Sequence, residues 1–443
     1  MRSLSQSPKD DEFVQNPYPF YERARAVGPF FLWNDYGLIC TGNSAAVNAI
    51  LRDRRFGREP VTAPVIPPHL APFYAVEAHS MLELEPPRHT RLRNLVLRAF
   101  TSRRIAGLGA DISALASTLA EEVPDGTFDL LHAFAQPLPV RIIARLLGVP
   151  EEMAPDLLRW SNAMVGMYMA GRTRAAEDRA VAATEAFVTF LRGYIEQRRK
   201  RPADDLITQL VAAESEGDKL STDELISTCI LLLNAGHEAT VHTIGNGVKL
   251  LLETGTAAAV LNSGTVDAAV EEILRFDPAL HMFTRHAYDD VEVMGHSFRR
   301  GDQVGLLLAM ANRDPGVWDE PARFIPADPS GPLPPLVRGC TSASARLWRG
   351  WNCRWRCRSF SDATRACVWP KRPDMPMPTT STAWASCWFR PDFPFCGKYP
   401  HGVWGRMPPR PRRRAQARRR DKGLRASALL STPAVRGAAP SST

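Results

Sequence analysis

The chain has 443 residues, 44% of them hydrophobic and 23% charged, with a formal net charge of +8 and a pI near 9.2. That length can bury one large core or two to three ordinary domains, and the balance is that of a globular protein. The N-terminus lacks the apolar segment of a signal peptide, and no apolar run approaches the ~20 residues of a membrane span, so a soluble, cytoplasmic protein is expected.

The charge is unevenly spread. Residues 337–443 hold 22 Lys+Arg against 4 Asp+Glu, a net of +18, which leaves −10 for residues 1–336. Six of the eight cysteines (Cys340, Cys353, Cys357, Cys367, Cys387, Cys396) and seven of the ten tryptophans lie in the same C-terminal part. A disulfide module would need an oxidising compartment, which the N-terminus does not indicate. Cys353 and Cys357 lack the second close pair that a zinc site requires, so no metal site is expected there.

In chain order, "FLWNDYGLICT" (31–41) reads as a strand bounded by turn residues. From Ala106 to Val123 the apolar spacing is helical, and "RAAEDRAVAATEAFVTFLRGYIEQRRK" (174–200) predicts a long amphipathic helix. Its terminal Arg198, Arg199 and Lys200 suit a helix C-terminus facing solvent better than a nucleic-acid contact. "STDELISTCILLLNAGHEATVHTIGNGVKLLLE" (221–253) is apolar on nearly every face through Ile230–Leu233, which predicts a helix through the middle of the domain. "DAAVEEILRF" (267–276) is helical, and residues 284–304 alternate like short strands joined at Gly295 and Gly301. The fold class is therefore mainly α with a minor β-sheet.

Four motifs bear chemistry. His89 and Arg93 stand at i and i+4 in "LEPPRHTRLRNLVLRAF", where one helix face could grip one anionic group. The bland alternative is a solvated basic face with Arg88 and Arg91. "NAGHEAT" (234–240) puts small residues and then His237, Glu238 and Thr240 in mid-helix, either as a satisfied polar cluster or as a proton-handling groove. Glu272 and Arg275, at i and i+3, would ordinarily be a surface ion pair. Arg285 enters the strand region, where most arginines are solvated.

In this order and spacing the four resemble the bacterial cytochromes P450, the haem-thiolate monooxygenases, over roughly residues 10–326. The resemblance implies the cytochrome P450 fold and a reaction that inserts one oxygen of O₂ into a small organic substrate. Haem is the implied cofactor, and a ferredoxin- or flavodoxin-type electron donor the implied partner. It casts His89, Arg93 and Arg285 as haem-propionate binders, Glu272 and Arg275 as a structural pair, and Glu238 and Thr240 as proton-handling catalytic residues. "NRDPGVWDEPARFIP" (312–326) matches the segment leading to the haem loop. One position departs. The family usually has threonine beside the acid, and here Ala239 stands there, with Thr240 about 100° further around the helix. A relay would then use Glu238, ordered water or a polar group of the substrate itself.

The family next needs a glycine-rich loop whose cysteine ligates haem iron. "LVRGCTSASARLWRGWNCRWRCRSF" (336–360) has none, and Cys340 has no glycine two residues on. Joining the third base of each codon to the first two of the next decodes the stretch differently. Trp351 into Asn352 must then give Glu, Asn352 into Cys353 must give Leu, and the junctions from Leu336 onward permit G-S-G-L-H-F-C-V-G-A-P-L-A-R-L-E-L. That is the missing loop. Residues 1–336 are thus expected to form a cytochrome P450-like domain with an incomplete C-terminal part, and 337–443 a disordered, out-of-frame basic tail. Two other readings remain: a non-catalytic remnant that binds a ligand, and a nucleic-acid-binding tail, which explains the arginines but not the hidden loop.

Overall fold

The longest helix, Thr222–Thr254, begins where its sequence says it should. Ser221 and Glu224 form a reciprocal capping box, the Ser221 hydroxyl accepting from the Glu224 amide and the Glu224 carboxylate accepting from the Ser221 amide. It ends at Gly255, which adopts the left-handed conformation that glycine takes without steric cost. At 1.5 Å per residue this central helix runs roughly 50 Å.

This computed structural model describes residues 1–326, except Thr101, Ala170, Glu216 and 261–264, together with the stretch Trp388–Phe389; the side chains of 102–107, 214–215, 258–259 and 388–389 are also outside it. Described residues all fall in one compact unit, Met1–Cys396. The expected tail, its cysteines and the position of the missing loop lie outside the described residues, save that Trp388–Phe389 pairs antiparallel with Phe128–Asp129.

Helices dominate. Arg174–Lys200 packs along Ala154–Val165 and the central helix, which also meets Pro137–Leu147 and Val266–Phe276. Phe187, Leu191 and Ile195 of the first meet Leu225, Ile226, Cys229 and Leu233 of the central helix in one large core cluster. The stripe 187, 191, 195 is the i, i+4, i+8 face that amphipathic spacing predicts.

The minor sheet has six strands, in the order Ser3–Leu4, Phe31–Trp33, Leu38–Thr41, Gln303–Leu307, Met282–Ala287 and Phe56–Gly57. Residues 31–41 are therefore two strands and not one. The chain turns through Asn34–Gly37, where Gly37 has φ +61°, and Phe31 comes to lie opposite Cys40. Gly305 runs parallel to Cys40, and a Cβ there would meet the Cys40 sulfur at 2.7 Å, so the close strand approach needs glycine. The expected turn at Gly295 is present, with Met294 and Gly295 both at positive φ joining Val291–Val293 to His296–Phe298. The helix expected over 106–123 starts earlier, as Ser102–Glu121.

Candidate active site

Two elements carry the expected anion-binding residues. His89 and Arg93 lie on the helix Arg88–Ala99, and Arg285 lies on the strand Met282–Ala287, in register with Val304. Arg58 ties the two together. Its amide donates to Glu85 at 2.6 Å and its guanidinium bonds Glu83, just ahead of the helix; the same guanidinium donates to the Thr284 hydroxyl at 3.3 Å and stacks 4.3 Å over Phe283 on the strand. Tyr288 confirms the proximity, since its hydroxyl feels the charges of both Glu85 and Arg285.

The basic helix face is divided in its roles. Arg91 pairs with Asp218 and with Glu224 at 2.6 Å, pinning this helix to the start of the central helix. Arg88 donates to the Ala78 carbonyl at 2.7 Å. Arg93 is exposed and forms no ion pair among the described residues. Burial, and then the charge of Arg93, pushes the His89 imidazole below its ordinary range, so at neutral pH it offers a neutral N–H beside a cation. Arg285 donates to the Thr284 carbonyl at 2.9 Å and lies 4.9 Å from the Phe283 ring.

Glu272 and Arg275 are not the surface pair that their spacing alone suggests. Their side chains are 11% and 4% exposed, and the pair is bidentate at 2.7 and 2.8 Å. Arg275 also donates to the carbonyls of Asn312, Pro321 and Arg323, while Glu272 accepts from the Ile325 amide at 2.8 Å. The pair holds the segment 312–325 in place, up to the last described residues.

On the central helix, the middle is less covered than the ends. Ala235 is exposed, and Leu231, Gly236, Glu238, Ala239 and Thr240 are half-buried, while His237 is buried. Glu238 accepts from or shares a proton with His242 Nε2 at 3.1 Å, one turn on, and lies 3.9 Å from His237 Nδ1. Burial raises the Glu238 carboxyl, but the His242 hydrogen bond and the two histidine charges outweigh it and leave it below its ordinary range. Thr240 donates its hydroxyl proton to the Gly236 carbonyl at 2.8 Å, and Thr243 donates to the Ala239 carbonyl at 2.6 Å. Neither ring nitrogen of His237 has a hydrogen-bond partner among the described residues.

Among curated proteins, the chain is 34% identical to the "Biotin biosynthesis cytochrome P450" of Bacillus subtilis (strain 168), over 73% of this chain and 82% of that protein. It is 35% identical to the "Cytochrome P450 monooxygenase PikC" of Streptomyces venezuelae, over 73% of this chain and 78% of that one. The Cytochrome P450 family model matches residues 264–330. The chain belongs to the cytochrome P450 family. The fold agrees with this: a solved structure of P450BioI in complex with an acyl carrier protein carrying hexadec-9Z-enoic acid superposes with a TM-score of 0.71 at 32% identity, covering 77% of this chain and 90% of that one. The family's chemistry is haem-dependent monooxygenation, which goes with a redox partner and a small-molecule substrate.

The residues fit one end of a haem. A neutral N–H donor, an exposed arginine and Arg285 suit two carboxylates, and the small residues Ala235 and Ala239 let a flat group approach the helix. The iron's axial ligand is another matter. Among the described residues the free cysteines are Cys40 and Cys229, both buried, and burial pushes each thiol up to about 12. Neither is a thiolate near neutral pH. Cys340 lies outside the described residues. Among the described residues no group of three His, Cys, Asp or Glu side chains is placed to hold a metal ion, and no helix is long and apolar enough to cross a membrane.

Sequence reasoning missed two residues. His242 stands four residues after Glu238, a spacing that puts an acid and an imidazole on one helix face. Arg58 carries no such signal, because its hydrogen-bond partners lie 24 to 226 residues away.

Proposed function

We propose that residues 1–326 are the scaffold of a bacterial haem monooxygenase, and that translation leaves the gene's frame between about Pro326 and Arg338. The chain as given is then not a competent haem-thiolate enzyme. The observation that carries this is the haem loop hidden in the shifted frame at residues 336–352, with its cysteine across Ser342 and Ala343. What supports it is that the described residues include His89, Arg93 and Arg285 on two elements joined through Arg58, but no cysteine able to serve as a thiolate.

When bound, haem supplies the activation of O₂ and the insertion of one oxygen into the substrate. His89, Arg93 and Arg285 would hold its propionates and so orient it. Glu272 and Arg275 hold 312–325, the segment that leads toward the missing loop. Glu238 would supply a carboxylate where O₂ is activated, and Ala239 supplies no hydroxyl beside it, so a polar group on the substrate would help order the last water. The electron donor is a ferredoxin or flavodoxin, and the enzyme works in the cytoplasm.

The test compares the chain as given with one whose frame is restored at 326–338. Reduced and treated with carbon monoxide, the restored chain should show the red-shifted band of thiolate-ligated haem, and the given chain should not. A band from the given chain that vanishes in Cys340→Ser would show Cys340 to be the ligand and refute the proposal. Haem bound without that band in the restored chain would favour the non-catalytic reading.

A further inference from the structure

We propose that Glu238 and His242 form the proton-delivery pair of this enzyme, with His242 taking the place in the relay that a hydroxyl at position 239 would hold. The inference rests on the monooxygenase reading above.

Each turnover puts one atom of O₂ into the substrate and releases the other as water, which consumes two electrons from the redox partner and two protons from solvent. Those protons need a path along the central helix, and the structure removes the obvious carriers. Ala239 has no exchangeable proton. The hydroxyl protons of Thr240 and Thr243 are committed to the carbonyls of Gly236 and Ala239, one turn back, at 2.8 and 2.6 Å. His237 is 1% exposed, so it cannot exchange directly with solvent.

What remains is an acid and an imidazole in contact. His242 Nε2 and Glu238 Oε2 are 3.1 Å apart, within hydrogen-bond reach, and their side chains are 33% and 25% exposed. Both are therefore partly open to water and partly sheltered. With Nε2 donating to Oε2, the imidazole can pass that proton to the carboxylate and be replenished from solvent at Nδ1. Glu238, half-buried next to Ala239, can hand the proton to water at the site. An imidazole is the side chain suited to this, since its two nitrogens accept and release protons on opposite edges. The buried His237, held neutral with its pKa near 4, leaves the Glu238 carboxylate as the local charge. A polar group on the substrate would then order the last water of the path and not replace the pair.

The experiment uses the restored-frame enzyme and two variants. His242→Phe keeps an aromatic ring but carries no proton. His242→Asn keeps a donor for Glu238 but cannot relay. Both should lower the product formed per electron by about tenfold or more, as loss of a general acid–base group does, with KM unchanged and a larger solvent deuterium isotope effect. If Asn restores full coupling, His242 only positions Glu238 and the relay is wrong; if Phe changes nothing, the pair carries no protons. A readout independent of haem uses the chain as given, labelled with ¹³C at its glutamate carboxyls. Among the described residues, the titratable side chains within 4 Å of the Glu238 carboxylate are His242, at 3.1 Å, and His237, at 3.9 Å. In His242→Phe its titration should move upward, and an unmoved titration overturns the pairing. A restored chain without the carbon monoxide band overturns the monooxygenase reading itself; a restored chain with the band and an indifferent Phe variant overturns the relay alone.

Discussion

His237 should make this fold acid-sensitive by an amount that follows from its surroundings. It is 1% exposed, neither ring nitrogen has a hydrogen-bond partner among the described residues, and burial lowers its pKa from 6.5 to about 4 despite the opposing charge of Glu238. The folded pKa lies below the unfolded one, so the unfolded chain binds the proton more readily between these values. The stability contribution is present in full above about pH 6.5 and is lost as pH falls through 4. With one pKa unit worth about 1.4 kcal/mol, the loss reaches roughly 3 kcal/mol by pH 4. That is a sizeable share of the ~5–15 kcal/mol that holds a domain folded. The assay is urea unfolding of the chain and of His237→Leu at pH 7.5, 6, 5 and 4. Carboxylates remote from His237 titrate alike in both proteins and cancel in the difference; Glu238, 3.9 Å from the ring, is held constant by making both measurements in a Glu238→Gln background. The gap should open by about 3 kcal/mol in favour of leucine between pH 7.5 and 4. Curves that stay parallel within about 0.5 kcal/mol would mean that His237 has solvent or a partner in reach, and the burial argument would fail.

Further outcomes are expected. Arg275→Met should destabilise the chain by about 3–5 kcal/mol, because it leaves the Glu272 carboxylate buried without its cation and the carbonyls of Asn312, Pro321 and Arg323 without their donor; thermal unfolding measures it. In the restored-frame enzyme, Arg93→Ala and Arg285→Ala should each weaken haem retention by about 10–100-fold, as loss of a charge-assisted hydrogen bond does, read by haem transfer to an apo-globin. Ala239→Thr should raise product per electron most for substrate analogues lacking a polar group near the oxidised carbon. No change for any substrate would exclude proton delivery at this position.

The parts of the fold set by local pattern were legible in the sequence. The helix at 174–200 matches to the residue, because its N-cap Thr173 and its buried stripe are both local signals. The hairpin at 31–41 was misread as one strand although its turn residues are present, since apolar character continued across them. The Glu272–Arg275 pair shows the limit of spacing. The i, i+3 relation is visible in the sequence, but its burial depends on carbonyls at 312, 321 and 323, some 40 residues away. The same holds for the residues proposed to bind the propionates. Their order along the chain suggested a common site, yet the piece that draws the His89 helix toward the Arg285 strand is Arg58, whose contacts are all long-range.

The location of the core bears on whether the proposed frame change would spare the scaffold. The large helical cluster is built from residues between Leu70 and Val248, all upstream of the interval 326–338 in which that change is proposed. Its energetics come from burial of side chains such as Phe187, Leu191 and Leu233, and none of these needs the axial loop. The uncovered surfaces are elsewhere: mid-helix around Ala235, and the strand Met282–Ala287, where five successive residues are only half-buried. Hydrogen exchange should therefore divide the molecule. Amides of Arg174–Lys200 and of the first three turns of the central helix should be equally protected in the given and restored chains. Those of 235–242 and 282–287 should exchange at least about tenfold more slowly in the restored chain with haem, where bound cofactor lowers the population of open states. If the given chain loses protection throughout, the shifted frame costs the fold as well as the ligand, and the separation of scaffold from chemistry is wrong.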